Sequence, residues 1–306
     1  MELNSRPINR QSIRDAIGHL LSSTSRTTPR SYVRREMKQS VRSVVDVILD
    51  AGWEAFVVGG TIRDAVLGPL LVGPSAYYPR DIDIVVVGVS HAEIKGAFSN
   101  LYRRDTRFGG VHLVDCRASG LQILYDVWAL EQTWAFTVAS LPKTIQNFQY
   151  TPFLNLDTAV VELGSSRGKG RQVFEQGFVD GVNSRMLEIN FEPNPYPDIC
   201  MVRSLIIAAK LQFAIGPKLL DFVLRNSRTT SIKRVMAAQI SHYGTIRCNE
   251  KEYLSWIGSL ERAQREGYDT AELLVKTDRQ LELWRDYPAS NFLSNSQVRE
   301  SELILA

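Results

Sequence analysis

The chain is poor in the residues that most often announce chemistry. It holds three cysteines, Cys116, Cys200 and Cys248, scattered through 306 residues without a metal-binding or redox spacing. That excludes a disulfide framework and a zinc cluster and points to a reducing, cytoplasmic setting. The four histidines outline no hydrolase metal site, and each reads as a surface or core residue. No apolar run approaches the length of a membrane span, so no membrane partner is expected. Charge of one sign is also scarce. The formal net charge of +3 is too small to mark a nucleic-acid binder by itself. What the chain does have is 44% hydrophobic residues over a length that fits two domains, enough to bury a substantial core.

Two short stretches carry the chemistry. The first is Val58-Gly59-Gly60-Thr61-Ile62-Arg63-Asp64-Ala65-Val66-Leu67-Gly68. It reads as a buried strand running through a Gly-Gly turn into a helix, which leaves backbone N–H groups at a helix start where a phosphate can approach. The second is Arg80-Asp81-Ile82-Asp83-Ile84-Val85-Val86-Val87, a buried strand with carboxylates at i and i+2. Period-two alternation sets Asp81 and Asp83 on one face. Two adjacent acids repel unless cations hold them, and Mg²⁺ bound jointly by carboxylates and phosphates is the obvious neutraliser. A phosphate cradle beside metal-binding acids means nucleotidyl transfer.

The order Gly-Gly-x-x-Arg-Asp-x-x-Leu-Gly followed by Arg-Asp-x-Asp resembles the head domain of class II nucleotidyltransferases. These are the bacterial poly(A) polymerases and CCA-adding tRNA nucleotidyltransferases, within the DNA polymerase beta superfamily. The likeness covers roughly residues 50 to 240 and thins toward the C-terminus. Arg107-Phe108-Gly109-Gly110-Val111 and the following strand resemble the family's next two strands, which carry a third acid. Here that acid is Asp126, either a catalytic ligand or an edge-strand aspartate without one. Thr151-Pro152-Phe153-Leu154-Asn155-Leu156-Asp157 is similar to the family's Asp-Phe-Thr-x-Asn-Ala segment. Met201-Val202-Arg203-Ser204-Leu205 through Phe213 is similar to its neck helix. The resemblance implies an NTP held by Gly59, Gly60, Arg63 and Asp64, and two Mg²⁺ ions on Asp81 and Asp83. Asp126 would serve the metal on the nucleophile side. Arg203 has two readings of equal weight, orienting the nucleotide or pairing with a head-domain acid.

The departures narrow the expectation. Pro69 to Pro79 is a Pro/Gly-rich insertion between the two motifs and reads as a loop over the site. In the neck, alignment on Arg203 puts Tyr196, Pro197 and Cys200 where the family's base-reading Glu-Asp-x-x-Arg would stand. Asp198 lies one residue out of register. The chemistry is therefore expected to survive while the family's choice between CTP and ATP does not. The glycine-rich Gly164 to Gly170 reads as a solvated hairpin turn rather than a phosphate loop, because it ends in Lys169-Gly170-Arg171.

The expected fold class is α+β, a polymerase-beta-like head with a mixed sheet flanked by helices, then an all-helical neck and C-terminal part. The expected divisions are a basic helical extension over residues 1–45, a nucleotidyltransferase head over 46–190, and the neck with C-terminal helices over 191–306. Residues 1–42 hold nine Lys/Arg against three acids, which suits either an arm on RNA phosphates or a solvated helical cap. Strands are expected at 55–58, 82–88, 111–115 and 122–130, with a late hairpin from 158–163 and 171–180. Helices are expected at 61–67, 90–102 and 139–148, then from 201 to the end. The expected activity is Mg²⁺-dependent transfer of NMP from an NTP to an RNA 3′ end, most simply that of tRNA. The alternative is a diverged toxin or defence effector, with a small protein partner, that modifies a tRNA 3′ end, a protein hydroxyl or a small molecule.

Overall fold

A computed structural model describes residues 7–21, 32–71, 79, 81–106, 108–118, 120–164, 170–273, 275 and 277–284. Arg80, Arg107, insertion residues 72–78, turn residues 165–169 and the N-terminal arginines 6, 26 and 30 lie outside them. The chain opens with helices α1 (Arg10–Leu21) and α2 (Tyr32–Asp50). Strand β1 (Glu54–Val58) then turns into α3 (Gly60–Leu71), and β2 (Asp81–Val87) leads to α4 (His91–Ala97). Strands β3 (Tyr102–Asp105), β4 (Val111–Cys116) and β5 (Gln122–Ala129) follow as a meander. After the short helices α5 (Trp134–Ala139) and α6 (Ile145–Phe148) come β6 (Val160–Glu162), β7 (Val173–Phe174), α7 (Phe178–Asn183) and β8 (Met186–Leu187). The remainder is α8 (Pro197–Leu211), β9 (Ala214–Ile215), α9 (Pro217–Ser227), α10 (Ile232–Tyr243), α11 (Glu250–Arg265) and α12 (Thr277–Trp284).

The seven strands of the main sheet run in the order β3-β4-β5-β2-β1-β6-β7. Only β2 and β5 are parallel, so the sheet is mixed, as the motif order implies. Its two faces differ. Ile82, Ile84, Tyr125 and Val127 are buried under α2, α3 and α4 in the main core. On the other face a small second core of Phe56, Val58, Val85, Leu130, Phe136 and Phe148 forms under α5 and α6. That second core covers only part of its face. The acids of β2 stand on the rest.

Local chemistry explains most boundaries. Ser90 and Glu93 make a capping box that starts α4, and Asn249 with Glu252 does the same for α11. Pro197 sits in the first turn of α8, where its missing N–H costs nothing. That helix is buried nearly all round and is packed by α9, α10 and α12, which makes it the axis of the C-terminal part. The basic first helix is a packed element, since Ile13 and Ile17 are fully buried against the core. Arg10 bonds Glu175, and Arg14 donates to the carbonyl of Arg171.

Several spans differ from the sequence expectation. The helix expected over 90–102 ends at Ala97, and the polar stretch Tyr102–Asp105 forms the sheet edge, where three of four side chains are exposed. Of the helix expected over 139–148 only Ile145–Phe148 forms, because the preceding helix Trp134–Ala139 ends where Ser140 is left-handed and Pro142 has no N–H to give. The second hairpin strand is only two residues long, because Gly177 takes a positive φ and starts α7. The last helix begins at Thr277, while Ala271 bridges to Ile215. Helix α3 runs through Pro69 to Leu71; so near the C-terminal end, the proline forfeits a single bond, to the carbonyl of Ala65. No described helix is long and apolar enough to cross a membrane.

Candidate functional site

The site grows from the junction of β1, α3 and β2. Gly59 has φ +64°, a left-handed conformation that a side chain would strain. Its carbonyl accepts from Ile62 and Arg63, which starts the helix. A Cβ added to Gly59 would lie 3.6 Å from Asp83 Oδ2, so this turn faces the acid directly. Thr61 fastens the two motifs together. Its hydroxyl donates to the carbonyl of Asp81 at 3.2 Å and accepts the N–H of Asp83 at 2.9 Å.

Asp83 pairs in register with Asp126 across the parallel β2–β5 ladder, and Asp81 is two residues along the same strand face. All three acids are half-buried. Asp126 is held from its other side, where His112 Nδ1 lies 2.7 Å from its Oδ1. The strands β4 and β5 set that pair opposite one another. The carboxylate oxygens suit a hard, oxygen-seeking cation. Among the described residues no three His, Cys, Asp or Glu side chains close into a cation cage. A Mg²⁺ site built from one or two carboxylates plus substrate phosphates does not need one.

Arg63 and Asp64 are buried in a chain of ion pairs, and the Arg63 guanidinium also lies against the phosphate turn, with Nη2 3.2 Å from where a Gly60 Cβ would stand. Arg63 Nε is 2.8 Å from Asp64 Oδ1, and its Nη1 is 2.5 Å from Asp157 Oδ1. Arg203 Nη2 reaches the other oxygen of Asp157 at 2.7 Å, and Lys210 Nζ reaches Asp64 Oδ2 at 2.9 Å. The chain thus runs from α3 through the turn after Leu154 to two points on α8. Burial would push the Asp64 carboxyl up, but Arg63 and Lys210 more than reverse it and hold it well below the ordinary carboxylate range. Burial likewise works against the Arg63 charge, and Asp64 with Asp157 holds that guanidinium above its usual value.

The neck positions also take definite places. Cys200 is buried, and burial pushes its thiol up to about 12. Asp198 turns to α10, where Arg234 lies 2.6 Å away and the Thr230 hydroxyl donates to it. Tyr196 packs edge-on to Phe108. Asn155 is structural, since its amide bonds the carbonyl of Met186 and accepts from Leu156 and Glu188. A depression of about 520 Å³ lined by Glu192, Pro193, Asn194, Phe222, Arg225 and Asn226 contains none of the predicted site residues.

Sequence reasoning singled out neither His112 nor Lys210. The signal for His112 was the hairpin register, in which paired positions sum to a constant and place it against Asp126. For Lys210 the cue was its place in the neck-helix likeness, at the start of Lys210-Leu211-Gln212-Phe213.

No family model and no curated protein matches the chain. Among solved structures it is similar to a CCA-adding enzyme in complex with CTP, at 14% identity and a TM-score of 0.51, covering 83% of this chain and 55% of that one. A tRNA-processing enzyme in an apo form gives 15% identity, a TM-score of 0.49, and coverage of 80% and 60%. A tRNA nucleotidyltransferase complexed with a primer tRNA and an incoming ATP analog gives 16%, 0.46, and 73% and 60%. The first of these is a likeness of fold. The chain spans a little over half the length of these structures.

Proposed function

We propose that the chain is a nucleotidyltransferase that moves NMP from an NTP to an RNA 3′ end, most simply that of tRNA. The observation that carries this reading is the in-register pair Asp83 and Asp126 beside a left-handed Gly59 at a helix start. Gly59 and Gly60 bring the triphosphate against the N–H groups of α3, which have no carbonyls of their own turn to pair with. Asp81 and Asp83 would hold two Mg²⁺ ions with the help of Asp126, and the ions would neutralise phosphate charge and make the acceptor hydroxyl more acidic. Thr61 fixes the spacing between the phosphate turn and the acid strand. His112 orients Asp126. In this reading Asp64 braces the helix that holds the phosphates, and Arg63, set against Gly60, braces the phosphate turn itself.

A second reading is a diverged effector that modifies a tRNA 3′ end, a protein hydroxyl or a small molecule. The neck favours it, because Cys200 is buried and Asp198 is taken up by Arg234, so neither position offers a charged group to a base edge. The deciding experiment supplies each α-labelled NTP in separate arms with total RNA, with the protein fraction and with the small-molecule fraction of a cell lysate, and follows the label. Label on RNA 3′ ends, lost in Asp83→Ala, supports the first reading. Label on protein or a small molecule replaces it with the second, and no transfer in any arm overturns both.

A further inference from the structure

We propose that Phe108, Trp134, Phe191 and Tyr196 form a stacking seat for the base of the bound nucleotide. The inference rests on the nucleotidyltransferase reading and specifies how that site handles the base. Phe108 and Trp134 stack with ring centres 6.0 Å apart and planes 23° apart. Tyr196 stands edge-on to Phe108 at 5.8 Å, and Phe191 tilts against Trp134 at 6.4 Å. The rings come from the β3–β4 turn, the start of α5, the segment after β8 and the residue capping α8. None belongs to either buried core. Phe108 is 45% exposed, and the other three are half-buried. Contiguous aromatic surface left in water is unfavourable unless it meets a partner.

The array continues the face that bears the acids. Trp128 follows Asp126 by two residues on β5, about 7 Å along the strand and on the same side. Gly110 sits directly on it, since a Cβ there would come 2.9 Å from Trp128 Cβ. The turn that carries Phe108 is therefore seated on Trp128, and His91 Nδ1 lies 2.9 Å from the carbonyl of Gly109 in the same turn. Trp134 belongs to α5, whose Phe136 packs into the small core beside Trp128. A nucleotide whose phosphates lie at Gly59 and the strand acids would meet the ring-bearing turn next along this face, where Gly110 sits on Trp128. A base held by π-faces is bound without regard to its hydrogen-bonding edge, because every base has such a face. The seat therefore predicts weak discrimination among the four NTPs.

The test is calorimetric titration of the wild-type chain and Phe108→Ala with ATP, with ribose 5′-triphosphate, which keeps the phosphates and lacks the base, and with an RNA oligonucleotide. Phe108 is exposed enough for its truncation to leave the fold intact, which circular dichroism checks. Phe108→Ala should weaken ATP about tenfold or more and leave ribose 5′-triphosphate unchanged. Phe108→Tyr should restore ATP binding. Equal ATP affinity in wild type and Phe108→Ala overturns the seat, as does an equal loss for both triphosphates. A loss confined to the RNA oligonucleotide also overturns it and gives the rings to the acceptor. Wild-type protein that binds neither triphosphate overturns the nucleotidyltransferase reading itself.

Discussion

Lys210 Nζ, near the end of α8, stands 2.9 Å from Asp64 Oδ2 on α3, and both side chains are over nine-tenths buried. The pair ties the phosphate-turn helix to the axis of the C-terminal helices. Trp284 caps it, with its ring 4.0 Å from Lys210 Nζ and its indole N–H donating to the Lys210 carbonyl. Removing Lys210 leaves Asp64 with Arg63 as its partner, so the loss lies within the roughly 3–5 kcal/mol that breaking a buried pair typically costs. Lys210→Met should lower unfolding stability by that order, read from urea denaturation. A double-mutant cycle of Lys210→Met with Asp64→Asn should show a non-additive coupling between the two positions, and strictly additive losses would contradict the pairing.

The same carboxylate sets an acid limit. Its folded form gives up its proton at lower pH than the unfolded chain, whose aspartate has an ordinary value near 3.8. Through that range the unfolded chain binds more protons, so stability rises with pH. The contribution of Asp64 is complete above the ordinary carboxylate range and is lost as pH falls through it and below. Acid titrations of stability should be shallower in Asp64→Asn than in wild type, and equal slopes would refute the assignment.

Asp81→Ala and Asp83→Ala should each remove transferase activity by several orders of magnitude while thermal stability stays level or rises slightly, since each relieves repulsion between neighbouring acids. Retained labelling by either variant would end the carboxylate account.

His112→Ala should reduce kcat about tenfold with little change in the KM for NTP, the size expected when a partner that orients a metal-ligating group is removed. His112→Asn, which keeps a polar atom toward Asp126, should recover part of it. A change confined to KM would move His112 out of that role.

Cys200→Arg should destabilise the fold and leave NTP preference unaltered, because position 200 faces the core rather than the nucleotide. Differential scanning calorimetry and competition among the four NTPs read the two effects. A stable variant with a new base preference would show the site to be open to solvent.

The motif strands and the turn between them were legible because each depends on local chemistry. Glycines permit the turn, and period-two alternation puts Asp81 and Asp83 on one face. The edge strand Tyr102–Asp105 was hidden because an exposed polar strand has no apolar alternation to show. Arg63 read as a nucleotide contact since an arginine after a phosphate turn suggests an anion. Its true surroundings, Asp64 beside it and Asp157 ninety-four residues away, follow only from tertiary packing. The neck was legible in its departures and not in its packing. Spacing could align Cys200 with an expected arginine, but only the packed helix reveals which side of α8 it faces.

The register of β4 against β5 has a consequence for how the chain tolerates change. Cys116 lies opposite Gln122, and the Arg117 N–H closes the tip by donating to the carbonyl of Leu121. Amino-acid replacements at this tip leave the alignment alone, save at Gly120, whose φ of +83° a side chain would strain. Losing or gaining one residue there would shift every opposed position by one, so His112 would meet Tyr125 or Val127 in place of Asp126. A loop remote from the acids thus carries a strict length requirement with a loose composition requirement, and insertions and deletions should be far rarer there than substitutions in any functional descendant of this chain.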